Sequence, residues 1–294
     1  MTLFRIPVFY SEAMVSEVTG TFSPSAAKPR AVVASWRERG FPIDIAEFEP
    51  VGAEEISLAH DPEFVAGVLS GQIANGFDND APEVAATLGY TSGAMLAAAR
   101  AALDNKQIAV APCSGFHHAG YRNACGFCTF NGLIVTAQVL KRDGGINRIG
   151  ILDFDQHWGD GTDDIVHELG LTYINHFSAG KNFHSPSQTD TFLRLIPRLV
   201  EDMTDCDVIL YQAGADPHID DPLGGWLTND ELAQRDRLVF EHAKQCGVPV
   251  AWNLAGGYQR PLRKVLDIHD NTMRECVRAY ATENYGGELN AATT

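Results

Sequence analysis

The sequence predicts an α/β fold of three layers, with helices covering both faces of a mainly parallel sheet in the manner of a single domain. Three observations carry this expectation. Strand-like and helix-like segments alternate from one end of the 294-residue chain to the other. The strand-like runs, such as "RIGILDFD" and "DVILYQAG", are nearly continuously apolar, as strands buried on both faces must be. No Gly-, Ser- or Pro-rich linker interrupts the alternation, so one domain is expected over 1–294.

In chain order, "LFRIPVFY" reads as a strand, "TGTFSPSAAKPR" as a loop and "IDIAEF" as a second strand. "DPEFVAGVLSG" and "PEVAATLGYTSGAMLAAARAAL" read as helices, each with Pro in its first turn, where a missing N–H costs nothing. "QIAVAP" (strand), "FNGLIVTAQVLKR" (helix), "RIGILDFD" (strand) and "TDDIVHELG" (helix) follow. "LTYINHF" is the next strand, and "TFLRLIPRLVEDM" a helix that Pro197 should perturb. "DVILYQAG", "TNDELAQRDRLVFEHAKQCG", "PVAWNLAG" and "PLRKVLDIHDNTMRECVRAYATE" complete the pattern as strand, helix, strand and helix. The tail after about residue 285, "GGELNAATT", is expected to fray.

Composition narrows the function. Hydrophobic and charged fractions of 45% and 20% are those of a globular protein in water. The net charge of −16, without any basic run, argues against a nucleic-acid partner, which needs clustered Lys and Arg. Charges or glycines interrupt every apolar run well short of about 18 residues, so no membrane span is expected. "MTLFRIPVFYSEAM" lacks a basic segment followed by a long apolar one, which makes the cytoplasm the expected location. The six cysteines show no small-scaffold disulfide pattern and read as thiols.

In an open parallel sheet, ligands bind outside the carboxyl ends of the strands. "IAVAP" is followed by His117 and His118, "IGILDF" by Asp155, His157 and Asp160, "VILYQAGA" by Asp216, and "VAWNLAGG" by Tyr258. Asp153, Asp155 and His157 alternate, which on a strand of period two puts them on one face. Unpaired carboxylates leaving a core are costly, and a divalent cation removes that cost. Asp155, His157 and Asp216 would make a three-ligand set with an open position, the form of a catalytic zinc site. Two carboxylates would leave that zinc a weaker Lewis acid than three histidines do, so His117, His118 and Tyr258 are candidates to assist.

Two rival motifs fail. "DFDQHWGDGTDD" resembles a calcium loop, but His157 takes its fifth position and Trp158 stands where a sharp-turn glycine is needed. "CGFC", Cys125 to Cys128, has redox-motif spacing but follows a Gly-rich loop, not a strand running into a helix.

The segments "GFHHAGYRNACGFCTFN", "ILDFDQHWGDGT", "AGADPHIDDPLGGWLT" and "NLAGGY" together resemble the zinc-dependent deacetylases, which include histone deacetylases, their bacterial amidohydrolase relatives and acetylpolyamine amidohydrolases. "HDPEFVAGVLSG" is similar to that family's N-terminal region. The resemblance implies an arginase/deacetylase-type fold and one Zn2+ held by Asp155, His157 and Asp216. It makes His118 the general base, His117 an electrostatic partner, and Asp153 and Asp160 the carboxylates that orient them. Tyr258 would donate to the developing oxyanion. Phe127 and Leu223 would line the acyl-lysine tunnel, the Gly126 carbonyl would accept the substrate amide N–H, and Asp80 would hold the substrate backbone at the rim. Iron(II) suits the same ligand set. Some family members bind K+ near the zinc strand, where Asp153 and Asp155 could contribute.

The chain departs from the family pattern twice. "SPSAAKPR" replaces a His-Pro-Glu…Pro-Glu-Arg type of signature, and Ala255 stands where an acidic residue is frequent before the last Gly-Gly-Tyr. The leading reading is a hydrolase of short acyl groups on lysine side chains or related amines. Acetylated polyamine is the rival substrate to acyl-lysine peptide or protein. A non-catalytic protein binding acyl-lysine or a small molecule is the reading from a different class. An arginase-type binuclear hydrolase would need further bridging acids beside the histidines. A homo-oligomer stays open.

Overall fold

The structure, a computed structural model, describes residues 4–281; the tail expected to fray lies outside them. Its seven strands are β1 (Ile6–Phe9), β2 (Ile43–Ala46), β3 (Ile108–Ala111), β4 (Ile149–Asp153), β5 (Ile174–Ser178), β6 (Val208–Gln212) and β7 (Val250–Asn253). They form one sheet in the order β2-β1-β3-β7-β6-β4-β5, and every pairing is parallel. Each strand predicted from the sequence is present.

Helices cover both faces. One face carries α1 (Lys28–Glu38), α7 (Thr189–Glu201), α8 (Asn229–Cys246) and α9 (Arg263–Tyr280). The other carries α2 (Ala53–Ile56), α3 (Pro62–Leu69), α4 (Pro82–Asn105), α5 (Gly132–Arg142) and α6 (Asp160–Glu168). Strand alternation divides the apolar residues between these layers. Ile209 and Tyr211 of β6 join the first core, and Val208 and Leu210 the second. Full burial of each such aliphatic side chain contributes about 1.5–3 kcal/mol, which is why the strands read as unbroken apolar runs.

Two local expectations change. The predicted loop "TGTFSPSAAKPR" gives its last three residues to α1, which starts at Lys28 with Pro29 in its first turn, a position that favours helix starts. Helix α7 runs unbroken through Pro197, because Phe192, Leu193, Ile196 and Val200 all bury into the first core.

A polar row closes the sheet at its carboxyl end. Ser178, Asp153, Gln212 and Asn253 are register partners across β5, β4, β6 and β7, and each is buried. Beyond that row the strand-end loops converge.

Candidate active site

Strand β4 ends at Asp153, so the predicted sharing of one strand face by Asp153, Asp155 and His157 does not hold. The chain turns instead on its own carboxylates. The Asp155 N–H donates to Asp153 Oδ1 at 3.3 Å, and the His157 N–H to Asp155 Oδ1 at 3.0 Å. The turn sends Asp153 toward the tandem histidines and Asp155 toward Asp216.

Asp155, His157 and Asp216 each offer a ligand atom within 4.8 Å of the others. His157 Nδ1 lies 3.1 Å from Asp155 Oδ1 and 3.1 Å from Asp216 Oδ2. Both carboxylates are buried, and their mutual repulsion shows in their acidities. Burial and the neighbouring Asp155 charge push Asp216 upward. Burial opposes ionisation of Asp155 too, but His117 and His157 outweigh it and hold that carboxyl low. Two buried acids and one imidazole nitrogen converging on a point are a donor set for a dication with oxygen and nitrogen ligands.

The tandem histidines each rest on a carboxylate. His117 Nδ1 is 2.7 Å from Asp153 Oδ2, and His118 Nδ1 is 2.7 Å from Asp160 Oδ1. In both, Nε2 is left for the site, and His117 Nε2 stands 3.6 Å from Asp155 Oδ1. Their acidities diverge. Burial works against charge on His117, but Asp153 and Asp155 overcome it and lift its pKa to about 9. Burial and then the His117 charge lower His118. Gln212 holds the pair from behind, donating to Asp153 Oδ1 at 2.8 Å and accepting the Phe116 N–H at 3.0 Å.

Tyr258 closes the opposite side. Burial, followed by the charges of Asp216 and Asp155, raises its phenol well above the usual value, so it stays a hydrogen-bond donor. Its backbone N–H donates to Asp221 Oδ2 at 2.8 Å. The preceding loop approaches the carboxylates directly, with the Gly256 N–H donating to Asp155 Oδ2 at 2.9 Å. Lys28 is fully buried behind this loop and donates to the carbonyls of Ala255 at 2.6 Å and Gly256 at 3.1 Å. The two departures from the family pattern, "SPSAAKPR" and Ala255, therefore touch each other.

Arg235 of α8, also fully buried, donates to the carbonyls of Phe154 at 3.1 Å and Gly214 at 2.7 Å. It thereby ties the loop carrying Asp155 to the loop carrying Asp216. Neither Lys28 nor Arg235 stands out in the sequence, because each reads as an ordinary helical charge. Gln212 and Asp221 were also missed, though a lone amide in the apolar strand "VILYQAG" is a signal that could have found Gln212.

The residues expected to contact substrate separate. Gly126 (φ 54°) and Phe127 (φ 66°) form a two-residue turn between Cys125 and Cys128, which exchange backbone hydrogen bonds of 3.0 and 2.8 Å. A small cavity is lined by His117, Gly126, Phe127, Asp155, Gly256 and Tyr258. The Phe127 and Tyr258 rings stand 5.6 Å apart. Leu223 is exposed in the loop after Asp216, its N–H donating to Asp221 Oδ1 at 3.0 Å. Asp80 is exposed beside Gly71. Asp78 is the acid of that segment whose charge, after burial and Asp160, acts on Cys125 next to the turn.

Comparison with known proteins bears on the family and the fold. A family model described as "Histone deacetylase domain" matches residues 24–189 and 168–273. An uncharacterised protein of Picosynechococcus sp. is 30% identical over 242 residues, covering 74% of this chain and 78% of its own. Histone deacetylase 14, chloroplastic, of Arabidopsis thaliana is 28% identical over 304 residues, covering 86% and 67%. The crystal structure of the HDA15 HD domain superposes with a TM-score of 0.75 at 20% identity, over 95% of this chain and 92% of that one, and bears on the fold. Among the described residues, no helix is long and apolar enough to cross a membrane.

Proposed function

Because the chain belongs to the histone deacetylase family, we propose that it is a zinc-dependent amidohydrolase removing acetyl or other short acyl groups from lysine side chains or related amines. One observation supports this most. Two imidazoles stand on equal 2.7 Å bonds to the carboxylates of Asp153 and Asp160, beside the buried cluster of Asp155, His157 and Asp216. A carboxylate behind each ring fixes its tautomer and orientation, as a general base and its electrostatic partner require.

Zinc(II) held by Asp155, His157 and Asp216 would polarise the acyl carbonyl and acidify a water molecule. His118, neutral at pH 7, takes the proton of the attacking water at Nε2 and returns it to the leaving amine. Asp160 keeps its Nδ1 protonated, so Nε2 is the basic nitrogen. His117, anchored by Asp153, stabilises the negative charge that grows beside it. Tyr258 donates its O–H to the former carbonyl oxygen. Phe127 flanks the substrate chain, and the Gly126 carbonyl is the acceptor for the amide N–H. The products are a free amine and a short carboxylate. Iron(II) suits the same donors.

The test is product release by zinc-reconstituted protein from equimolar acetyl-lysine peptide and N-acetylputrescine, with His118→Ala as the control. Control-sensitive release from the peptide supports a lysine deacylase. Faster release from the acetylated diamine makes the substrate a polyamine. No turnover of either sinks the proposal in favour of a binding protein.

A further inference from the structure

The aromatic wall of the site has a third member that comes from the N-terminal loop. Phe22 is 51% exposed, although a phenylalanine ring gains most by burial. Its ring centroid lies 5.7 Å from that of Phe127, edge-on at 89°, and 6.2 Å from that of Tyr258 at 58°. With the 5.6 Å separation of Phe127 and Tyr258, the three rings make a closed triangle at the mouth of the site. Phe77 extends it behind Phe127, at 5.8 Å.

The loop that carries Phe22 is fastened from three sides. Arg260, two residues beyond Tyr258, donates to the Phe22 carbonyl at 3.0 Å. Asn79 donates to the Thr19 carbonyl at 2.7 Å, and the Ser114 hydroxyl to the Ser25 carbonyl at 2.7 Å. These anchors belong to the segments that carry Tyr258, Phe77 and the tandem histidines. The ring is therefore held against Phe127 and Tyr258, two residues that line the cavity, with half its surface still open.

We propose that Phe22 determines specificity by packing against the unbranched methylene chain of the acylated amine. This rests on the hydrolase reading above and deepens it. The two ring contacts, one edge-on and one tilted, leave an open ring surface beside Phe127 and Tyr258, and a chain of methylene groups is the partner that covers it without needing hydrogen bonds. A short amide without such a chain reaches the zinc ligands but leaves Phe22 exposed.

Binding of two hydroxamates to zinc-loaded protein tests the inference without relying on turnover. Acetohydroxamate probes the metal end alone, and octanohydroxamate adds a methylene chain. Phe22→Ala should lower the ratio of long-chain to short-chain affinity by roughly three- to tenfold. Phe22→Trp should keep the ratio near that of the unaltered protein, which separates loss of the ring from collapse of the loop. An unchanged ratio in Phe22→Ala overturns the role of Phe22 and leaves the hydrolase reading standing. Failure of the unaltered protein to bind either hydroxamate overturns both.

Discussion

Gly256 abuts both carboxylates of the proposed metal centre, and replacing it by alanine tests that centre directly. A Cβ there would lie 2.3 Å from Asp216 Oδ2 and 2.8 Å from Asp155 Oδ2, against 3.4 Å for ordinary contact. The Asp216 oxygen must retreat by about 1 Å, while metal sites hold their ligands to about 0.2 Å. Asp216 is fully buried, so it has no open space to retreat into. Displacement on that scale should weaken zinc binding by about 100-fold or more. The assay is competition against a chromophoric zinc chelator, with far-UV circular dichroism to verify the fold. Gly145→Ala is the control, since its Cβ would meet only Leu140 O at 3.6 Å. Zinc affinity within threefold of the unaltered protein, with a native spectrum, would refute the assignment of Asp155 and Asp216 as ligands.

Tyr258→Phe should lower kcat by about 100- to 1000-fold with little change in KM, the loss expected of one oxyanion donor, and zinc titration should show the metal still bound. Arg235→Met should cost about 3–5 kcal/mol in urea unfolding, because it leaves the buried Asp236 carboxylate, which Arg235 meets at 2.8 Å, with the Tyr211 and Thr272 hydroxyls but no counter-charge; a loss below 1 kcal/mol would contradict that account. His60 donates from Nδ1 to Gly120 O at 2.9 Å and accepts the Asn131 N–H on Nε2 at 2.8 Å, and burial lowers its pKa from 6.5 to about 4. The unfolded chain therefore takes up a proton before the folded one does as pH falls from 6.5 to 4. Stability should drop over that window, by about 3 kcal/mol from this group at the acid end. His60→Gln should flatten the dependence, and an unchanged slope would exclude His60 as its source.

The strands were legible because burial on both faces leaves an apolar run of strand length, as in "DVILYQAG". The first helix was not, since "SPSAAKPRAVV" opens with turn-forming residues, and only its packing on α9 shows which of them start a helix. The zinc-ligand candidates and both histidines were legible as polar groups placed just beyond strands. Lys28 and Arg235 were not, because a sequence does not reveal whether a helical cation faces water or a backbone carbonyl. Phe22 was hidden for a related reason: nothing local marks an aromatic residue in a Ser- and Pro-rich loop as part of a substrate wall.

The sequence by itself determined the layered α/β fold, the family and the chemical character of the strand ends, since each follows from local pattern and residue type. The tertiary structure decided the rest. The residues follow strands β3, β4, β6 and β7, which are separated along the chain, and the sheet order β3-β7-β6-β4 makes those four ends contiguous. It also decided how Asp153 and Asp155 part, because β4 stops at Asp153 and the chain turns on its own carboxylates, leaving Asp153 on His117 and Asp155 beside Asp216. Strand order and loop direction are set by how two helical layers share one sheet, a balance of contacts between residues far apart in the chain.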